Sequence, residues 1–333
     1  MGKTSIQWTD FSINPLRARN KATGKVGHFC EKISPGCGHC YASNWNEKRM
    51  GTGLPFLPAH RGAIEVFLDE SKLQEVLRRK KPTRYFWCDM TDMFFELYPD
   101  EWLDRCFATM ALTPQHTHQV LTKRPERMLA YLEKAVGRIA DTAIAMRRAG
   151  GDRGPVVPLP YITPGAAWWP LPNVWLGVSV ESPAYLWRVE KLLACPAAIR
   201  FLSLEPLLAD INLRRIPHSK PGRFIDVYAP CPRVDWVIAG GESGPNARSC
   251  NLAWLRSLRD QCAAAGVPFF LKQLGSSPFE ETGGSFHHEQ PGLKITMAEY
   301  QYRADFNLRD SHGGDESEWP ADLQNCRAFP EAS

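Results

Sequence analysis

Short apolar runs bounded by polar residues recur along the chain, and most are followed by a stretch with apolar residues at helical spacing. Seven runs predict buried strands: 5–9 (SIQWT), 84–90 (RYFWCDM), 118–124 (HQVLTKR), 173–180 (NVWLGVSV), 199–206 (IRFLSLEP), 234–241 (VDWVIAGG) and 268–275 (PFFLKQLG). Five stretches predict amphipathic helices, at 69–80, 100–113, 125–140, 182–195 and 251–266. This alternation builds a parallel sheet covered by helices, because parallel neighbours need a crossover connection. The predicted class is therefore α/β, a full or partial TIM-like (β/α) barrel of about seven parallel strands. An open doubly wound sheet is the alternative.

Two parts leave the rhythm. Residues 149–172 are rich in Gly and Pro and predict an irregular loop, either a lid or a decoration. From about 276 the alternation stops and the chain turns polar. The expected division is a barrel domain over 1–276, with a cysteine loop at 28–45, and a tail over 277–333 that packs on the surface or is partly disordered. There is no solenoid-type repeat.

Composition narrows the class without naming a function. The 333 residues are 44% hydrophobic, enough for a large core, and the net charge of +4 is mild. The first ten residues lack the apolar run of a signal peptide, and no segment reaches the ~20 apolar residues of a membrane span. A cytoplasmic protein without a membrane partner is expected. In that compartment ten cysteines read as ligands or core residues rather than disulfides. Cys88, Cys106, Cys195 and Cys262 lie in apolar segments and are assigned to core packing.

Chemistry in parallel α/β folds gathers at the carboxyl ends of the strands. In the predicted strands those ends carry Thr9 and Asp10; Asp89, Thr91 and Asp92; Lys123 and Arg124; Ser179 and Glu181; Glu205; Gly240, Gly241 and Glu242; and Lys272 and Gln273. Singly each reads as a helix cap or a solvated turn. In series they suggest a mouth for a zwitterionic or phosphorylated small molecule. The 240–251 loop, GGESGPNARSCN, has glycines that let peptide N–H groups face an anion, and Arg248 adds a partner for carboxylate or phosphate. It is neither a P-loop nor a dinucleotide fingerprint.

The cysteine loop holds Cys30, Cys37 and Cys40 at C-x6-C-x2-C spacing. A closed zinc site would need a fourth ligand, such as His28 or His39, and zinc remains an alternative. Three thiolates on a [4Fe–4S] cluster would instead leave one iron open to a cofactor or substrate.

The segments SIQWTDFSINPL, CEKISPGCGHCYA, NVWLGVSVES, FLSLEPLL, WVIAGGESG and FFLKQLG resemble the phage three-cysteine-motif proteins, a family of unknown function, over residues 5 to about 275. That family is similar to the radical S-adenosylmethionine superfamily, most of all to its spore photoproduct lyase branch. The usual superfamily spacing is C-x3-C-x2-C with an aromatic before the last cysteine; here the first gap is longer and His39 holds the aromatic position. CDMTDMF replaces the superfamily's glycine-rich motif after strand two. The resemblance implies a lyase or transferase that holds a [4Fe–4S] cluster on Cys30, Cys37 and Cys40 and cleaves S-adenosylmethionine to a 5′-deoxyadenosyl radical. Cofactor contacts are expected from Asp89, Thr91, Asp92, Lys123, Ser179, Glu205, Gly240 and Gly241, and substrate contacts from Glu242, Arg248, Lys272 and Gln273. No catalytic residue is singled out. Flavodoxin or ferredoxin is the implied electron donor. The basic stretches at 17–25 and 77–84 admit nucleic acid as a partner, while a non-enzymatic, zinc-stabilised nucleic-acid- or partner-binding protein is the competing reading.

Overall fold

Seven parallel strands, made in chain order, form the frame: β1 (Phe11–Ile13), β2 (Arg84–Trp87), β3 (Thr117–Thr122), β4 (Val174–Ser179), β5 (Ile199–Leu204), β6 (Trp236–Gly240) and β7 (Phe269–Gln273). They are seen in a computed structural model that describes residues 2–150, 168–229, 233–282, 293–298 and 301–330. The chain divides into two compact units, one of Met1–Val178 with Lys191–Arg200, the other of Ser179–Glu190 with Phe201–Ser333.

In the first unit β1 pairs with β2 (Phe11↔Tyr85, Ile13↔Trp87), β2 with β3 (Trp87↔Val120) and β3 with β4 (His118↔Val174), all parallel. In the second, β5 pairs with β6 (Trp236↔Phe201) and β6 with β7 (Val237↔Phe269), again parallel. Neither unit reverses its strand order, as a doubly wound sheet must at its switch point. The class is thus α/β, with seven parallel strands in the succession of a partial (β/α) barrel. Every residue of β4 and β6 is buried, as expected of parallel strands, which are covered on both faces.

The helices are α1 (Tyr41–Lys48), α2 (Glu70–Arg78), α3 (Asp100–Ala111), α4 (Pro125–Gly150), α5 (Trp187–Ala194) and α6 (Leu252–Ala265). Local chemistry sets their ends. Asp69 and Asn251 cap α2 and α6 by accepting from the amides of Ser71 and Ala253, and Gly266, at φ 64°, stops α6 in the left-handed region. No helix among the described residues is long and apolar enough to cross a membrane.

Three expectations need revision. The first strand is Phe11–Ile13 rather than 5–9, because Thr9 N–H closes a turn onto Ile6 and the buried Trp8 packs on Phe86 at 4.6 Å from that turn. Thr9 and Asp10 therefore precede β1, and Asp10 is tied to Arg84 at the opposite end of the strands from the predicted mouth. Helix α4 runs to Gly150, past the predicted end at 140, so the Gly- and Pro-rich loop begins later; its residues 151–167 lie outside the described ones. The polar tail supplies strands that no alternation announced: β8 (Pro278–Thr282), β9 (Leu293–Ala298) and β10 (Gln301–Phe306), with β8 and β9 each antiparallel to β10. Beyond them, Arg327 bridges antiparallel to Phe270 in β7, and Phe329 packs on Trp236 and Phe270 at 5.3 and 5.2 Å.

One buried polar cluster bears on stability. Trp87 Nε1 donates to His118 Nδ1 at 3.0 Å, so His118 carries its proton on Nε2, 3.0 Å from Thr113 Oγ1, whose own proton goes to the Thr109 carbonyl. Burial, helped by His116, holds the His118 pKa at about 3. In the unfolded chain the same ring protonates near 6.5. As pH falls from 6.5 towards 3 the unfolded state takes up a proton that the folded state refuses, which favours unfolding by up to about 1.4 kcal/mol per pH unit. Denaturant titrations at pH 7, 6 and 5 are expected to show this fall, and His118→Gln is expected to flatten it.

Candidate functional site

The cysteine loop leaves β1 through an antiparallel meander of Leu16–Asn20, Val26–Gly27 and Ile64–Leu68. Asn46 of α1, 1% exposed, locks its base. Asn46 Oδ1 accepts from the amides of His28 (2.9 Å) and Thr52 (3.2 Å), and its Nδ2 donates to Thr52 Oγ1 (2.7 Å) and the Leu54 carbonyl (2.8 Å). A Cβ on Gly27 or Gly51 would come within 2.4 Å of Asn46 Oδ1, so the close approach requires glycine at both. Next, Phe29 is buried between Phe56 and Phe95, and its carbonyl accepts from the hydroxyls of Thr91 and Tyr98. Cys30 thus follows a residue fixed by both side chain and backbone. Cys37 closes a single 3-10 turn over Pro35–Cys37, and Cys40 occupies the N-cap of α1.

All three thiols are half-buried and free. Burial pushes the Cys30 thiol well above the ordinary range; Asp92, Cys40 and Cys37 add to this and Arg124 opposes it. Burial also raises Cys40, against the pull of the Ser43 and Ala42 amides and of Lys123. The thiols are close enough to influence one another, with two cations at hand to hold thiolate charge. Yet no group of three or more His, Cys, Asp or Glu side chains among the described residues converges as one metal ion needs. A tetrahedral zinc would draw each sulfur to about 2.3 Å from a shared centre. A multi-iron group instead meets each thiolate on a different iron, and three thiols on one segment are the donor type that such a group takes.

Cys88, at φ 61°, turns the chain sharply after β2 and directs Asp89 and Asp92 to different tasks. Asp89, its pKa raised by burial, accepts from Asn14 Nδ2 at 2.5 Å, and its carbonyl takes the Tyr41 hydroxyl at 2.7 Å. The buried Asp92 carboxylate accepts from Thr122 Oγ1 (2.7 Å), Phe94 N–H (2.9 Å) and Lys123 N–H (2.9 Å), joining the ends of β2 and β3. Thr91 and Asp92, expected to hold cofactor, are engaged in the protein's own bonds and position the loop. Arg124 gains importance: its side chain is 9% exposed, stacked 4.9 Å over Phe95 and paired with Glu96, while Nε and Nη2 have no hydrogen-bond partner among the described residues.

In the second unit the strand ends form ion pairs. Arg188 Nη1 donates to the Ser179 carbonyl (2.8 Å) and to Glu181 (3.0 Å), both side chains being almost fully buried. Arg248 binds Glu242 through its main-chain amide and guanidinium, so neither reaches for a ligand alone. Lys272 Nζ lies 3.1 Å from Glu205 Oε1. Gly240 and Gly241, expected to contact cofactor, lie close against the protein's own atoms. A Cβ on Gly241 would fall 2.1 Å from the Leu274 carbonyl, and one on Gly240 3.0 Å from Glu205, so these glycines admit protein rather than ligand. Gly241 N–H goes to the Gln273 carbonyl, and Gln273 Nε2 returns to the Gly241 carbonyl. The 240–251 loop is no open anion nest.

Sequence reasoning passed over Asn46 and Arg188, and named Arg124 only as one of the polar strand-end residues. Arg188 left a trace, as a cation within the apolar run YLWRV. Arg188→Ala would strand the buried Glu181 charge and is expected to cost about 3–5 kcal/mol of unfolding free energy by denaturant titration. Adding Glu181→Gln is expected to recover part of that loss.

Comparison with curated proteins finds no match. Among solved structures the chain is similar to spore photoproduct lyase complexed with dinucleoside spore photoproduct, at 9% identity and TM-score 0.38. It is also similar to a variant of that lyase with bound AdoMet and dinucleoside spore photoproduct, at 10% and 0.37. Each match covers 93% of this chain and 71% of the other. The sequence profile of one family spans residues 3–305, and the chain belongs to that family, described as protein of unknown function (DUF5131).

Proposed function

We propose that this protein is a radical S-adenosylmethionine enzyme with a [4Fe–4S] cluster on Cys30, Cys37 and Cys40, in line with its resemblance to the phage three-cysteine-motif proteins. The observation that carries the reading is the thiol loop itself: three free, half-buried thiols on one segment, with the residue before Cys30 pinned to the loop after β2 by Thr91 and Tyr98. When bound, such a cluster supplies the electron that cleaves the sulfonium of S-adenosylmethionine.

The chain's own residues divide the remaining work. Thr91 and Tyr98 hold Cys30 in place through the Phe29 carbonyl, and Asp92 keeps Lys123 beside the loop. Lys123 and Arg124 offset thiolate charge, which favours loss of the thiol protons when metal binds. Glu205 with Lys272 is less deeply buried than Glu181 with Arg188 and offers both signs of charge to a zwitterionic or ribose-bearing ligand.

The test is purification without oxygen, followed by iron, sulfide and zinc analysis. Brown protein with about four irons and four sulfides per chain is expected, and reduction with S-adenosylmethionine is expected to yield 5′-deoxyadenosine. Colourless protein with one zinc overturns the reading. Cys37→Ala is expected to lose the iron, whereas Cys106→Ala, in the core between helices, is expected to keep it.

A further inference from the structure

The segment that carries the thiols also gathers exposed cations and exposed apolar side chains. Residues 17–61 contain eight Lys or Arg against two Glu, a surplus of six, whereas the whole chain nets +4, so the rest of the chain is net acidic. Arg17, Arg19 and Arg61 are paired with Asp69, Glu65 and Glu31. The exposed Lys25, Lys32, Lys48 and Arg49 have no carboxylate partner among the described residues. Apolar exposure gathers in the same place. Of eight large apolar side chains exposed among the described residues, six fall here: Val26, Ile33, Tyr41, Trp45, Met50 and Leu57.

The hydrogen bonds explain how they share a surface. Asn46 joins His28 and Thr52 to α1, and Ser43 Oγ accepts from the Phe56 amide, so the chain around Val26, Met50 and Leu57 is drawn to that helix. On α1, Tyr41 and Trp45 stand four residues apart, one helical turn, at 56% and 44% exposure. The Tyr41 ring is held by its hydroxyl's bond to the Asp89 carbonyl, and the Arg49 guanidinium lies 5.3 Å from the Trp45 ring centre. Two flat rings one turn apart, one fixed and the other backed by a cation, with Lys48 three residues beyond Trp45 on the same helix, form a stacking platform with positive charge beside it.

We propose that this face of α1 binds single-stranded nucleic acid, its bases stacking on Tyr41 and Trp45 and its phosphates meeting Lys48, Arg49, Lys25 and Lys32. Charge complementarity selects a polyanion, and the exposed rings select a strand with unpaired bases, since a duplex hides its base faces. The inference goes beyond the iron–sulfur reading and does not rest on it, because binding needs no turnover.

The experiment is fluorescence anisotropy of fluorescein-labelled oligo(dT) titrated with the anaerobically prepared full chain at several salt concentrations, with a hairpin duplex as comparison. Preferential binding of the single strand is expected, weakening steadily with salt. Trp45→Ala is expected to lower affinity at least about fivefold. Lys48→Glu is expected to lower it and to flatten the salt dependence, with the circular dichroism of each variant unchanged. The proposal is overturned by absence of binding at low salt, by equal affinity for the hairpin, or by wild-type affinity in both variants. It is likewise overturned if Trp45→Ala instead abolishes self-association or adsorption to anionic vesicles while oligo(dT) is ignored.

Discussion

The Phe29 carbonyl, held by the hydroxyls of Thr91 and Tyr98, is the bond on which the arrangement of the thiols depends. It joins a long surface excursion to the end of a buried strand at the residue before Cys30, while the Phe29 ring, packed between Phe56 and Phe95, prevents the backbone from rotating away. Asp92 extends the same constraint sideways by bonding both Thr122 and the Lys123 amide, so β2 and β3 end in one fixed constellation. Asn46 secures the far side, where only glycine at 27 and 51 permits the approach. A buried polar group left without its partner costs about 1–3 kcal/mol, and several such bonds converge here, so the loop has little freedom to rearrange.

Charge is handled differently in the two units. In the first, burial raises the Cys30 and Cys40 thiols, neighbouring thiols add to the rise, and Arg124 and Lys123 oppose it. In the second, Glu181, Glu205 and Glu242 are each matched to a cation. Removing ions from water is costly unless they are paired, and the almost wholly buried Glu181–Arg188 pair has the character of a fastening. Glu205 and Lys272 keep some access to solvent, which allows exchange for a ligand's charges.

The parallel frame was legible because strands buried on both faces must be continuously apolar and their crossovers must be amphipathic, and β3 to β7 fall within a residue or two of their predicted places. The first strand was misread because Trp8 is buried from a turn, and a period-based reading does not separate a buried turn from a short strand. Gly240 and Gly241 looked like a ligand cradle, but glycine signals close approach without saying by what, and here it is the Leu274 carbonyl and the Glu205 carboxylate. The three cysteines stood out by spacing alone. Asn46 could not be found in this way, since it meets His28, Thr52 and Leu54 mostly through their main chain, which leaves no pattern in the sequence. The tail strands escaped notice because β9 and β10, although their polar and apolar residues alternate, have no helix between them and so lie outside the strand–helix rhythm.

The most direct test of the claim that Cys30, Cys37 and Cys40 share one open iron–sulfur group is the electron paramagnetic resonance spectrum of the reduced, anaerobically prepared protein, recorded with and without S-adenosylmethionine. A reduced-cluster signal that changes shape when the cofactor is added is the predicted result. A spectrum without a cluster signal, or one indifferent to the cofactor, would contradict it.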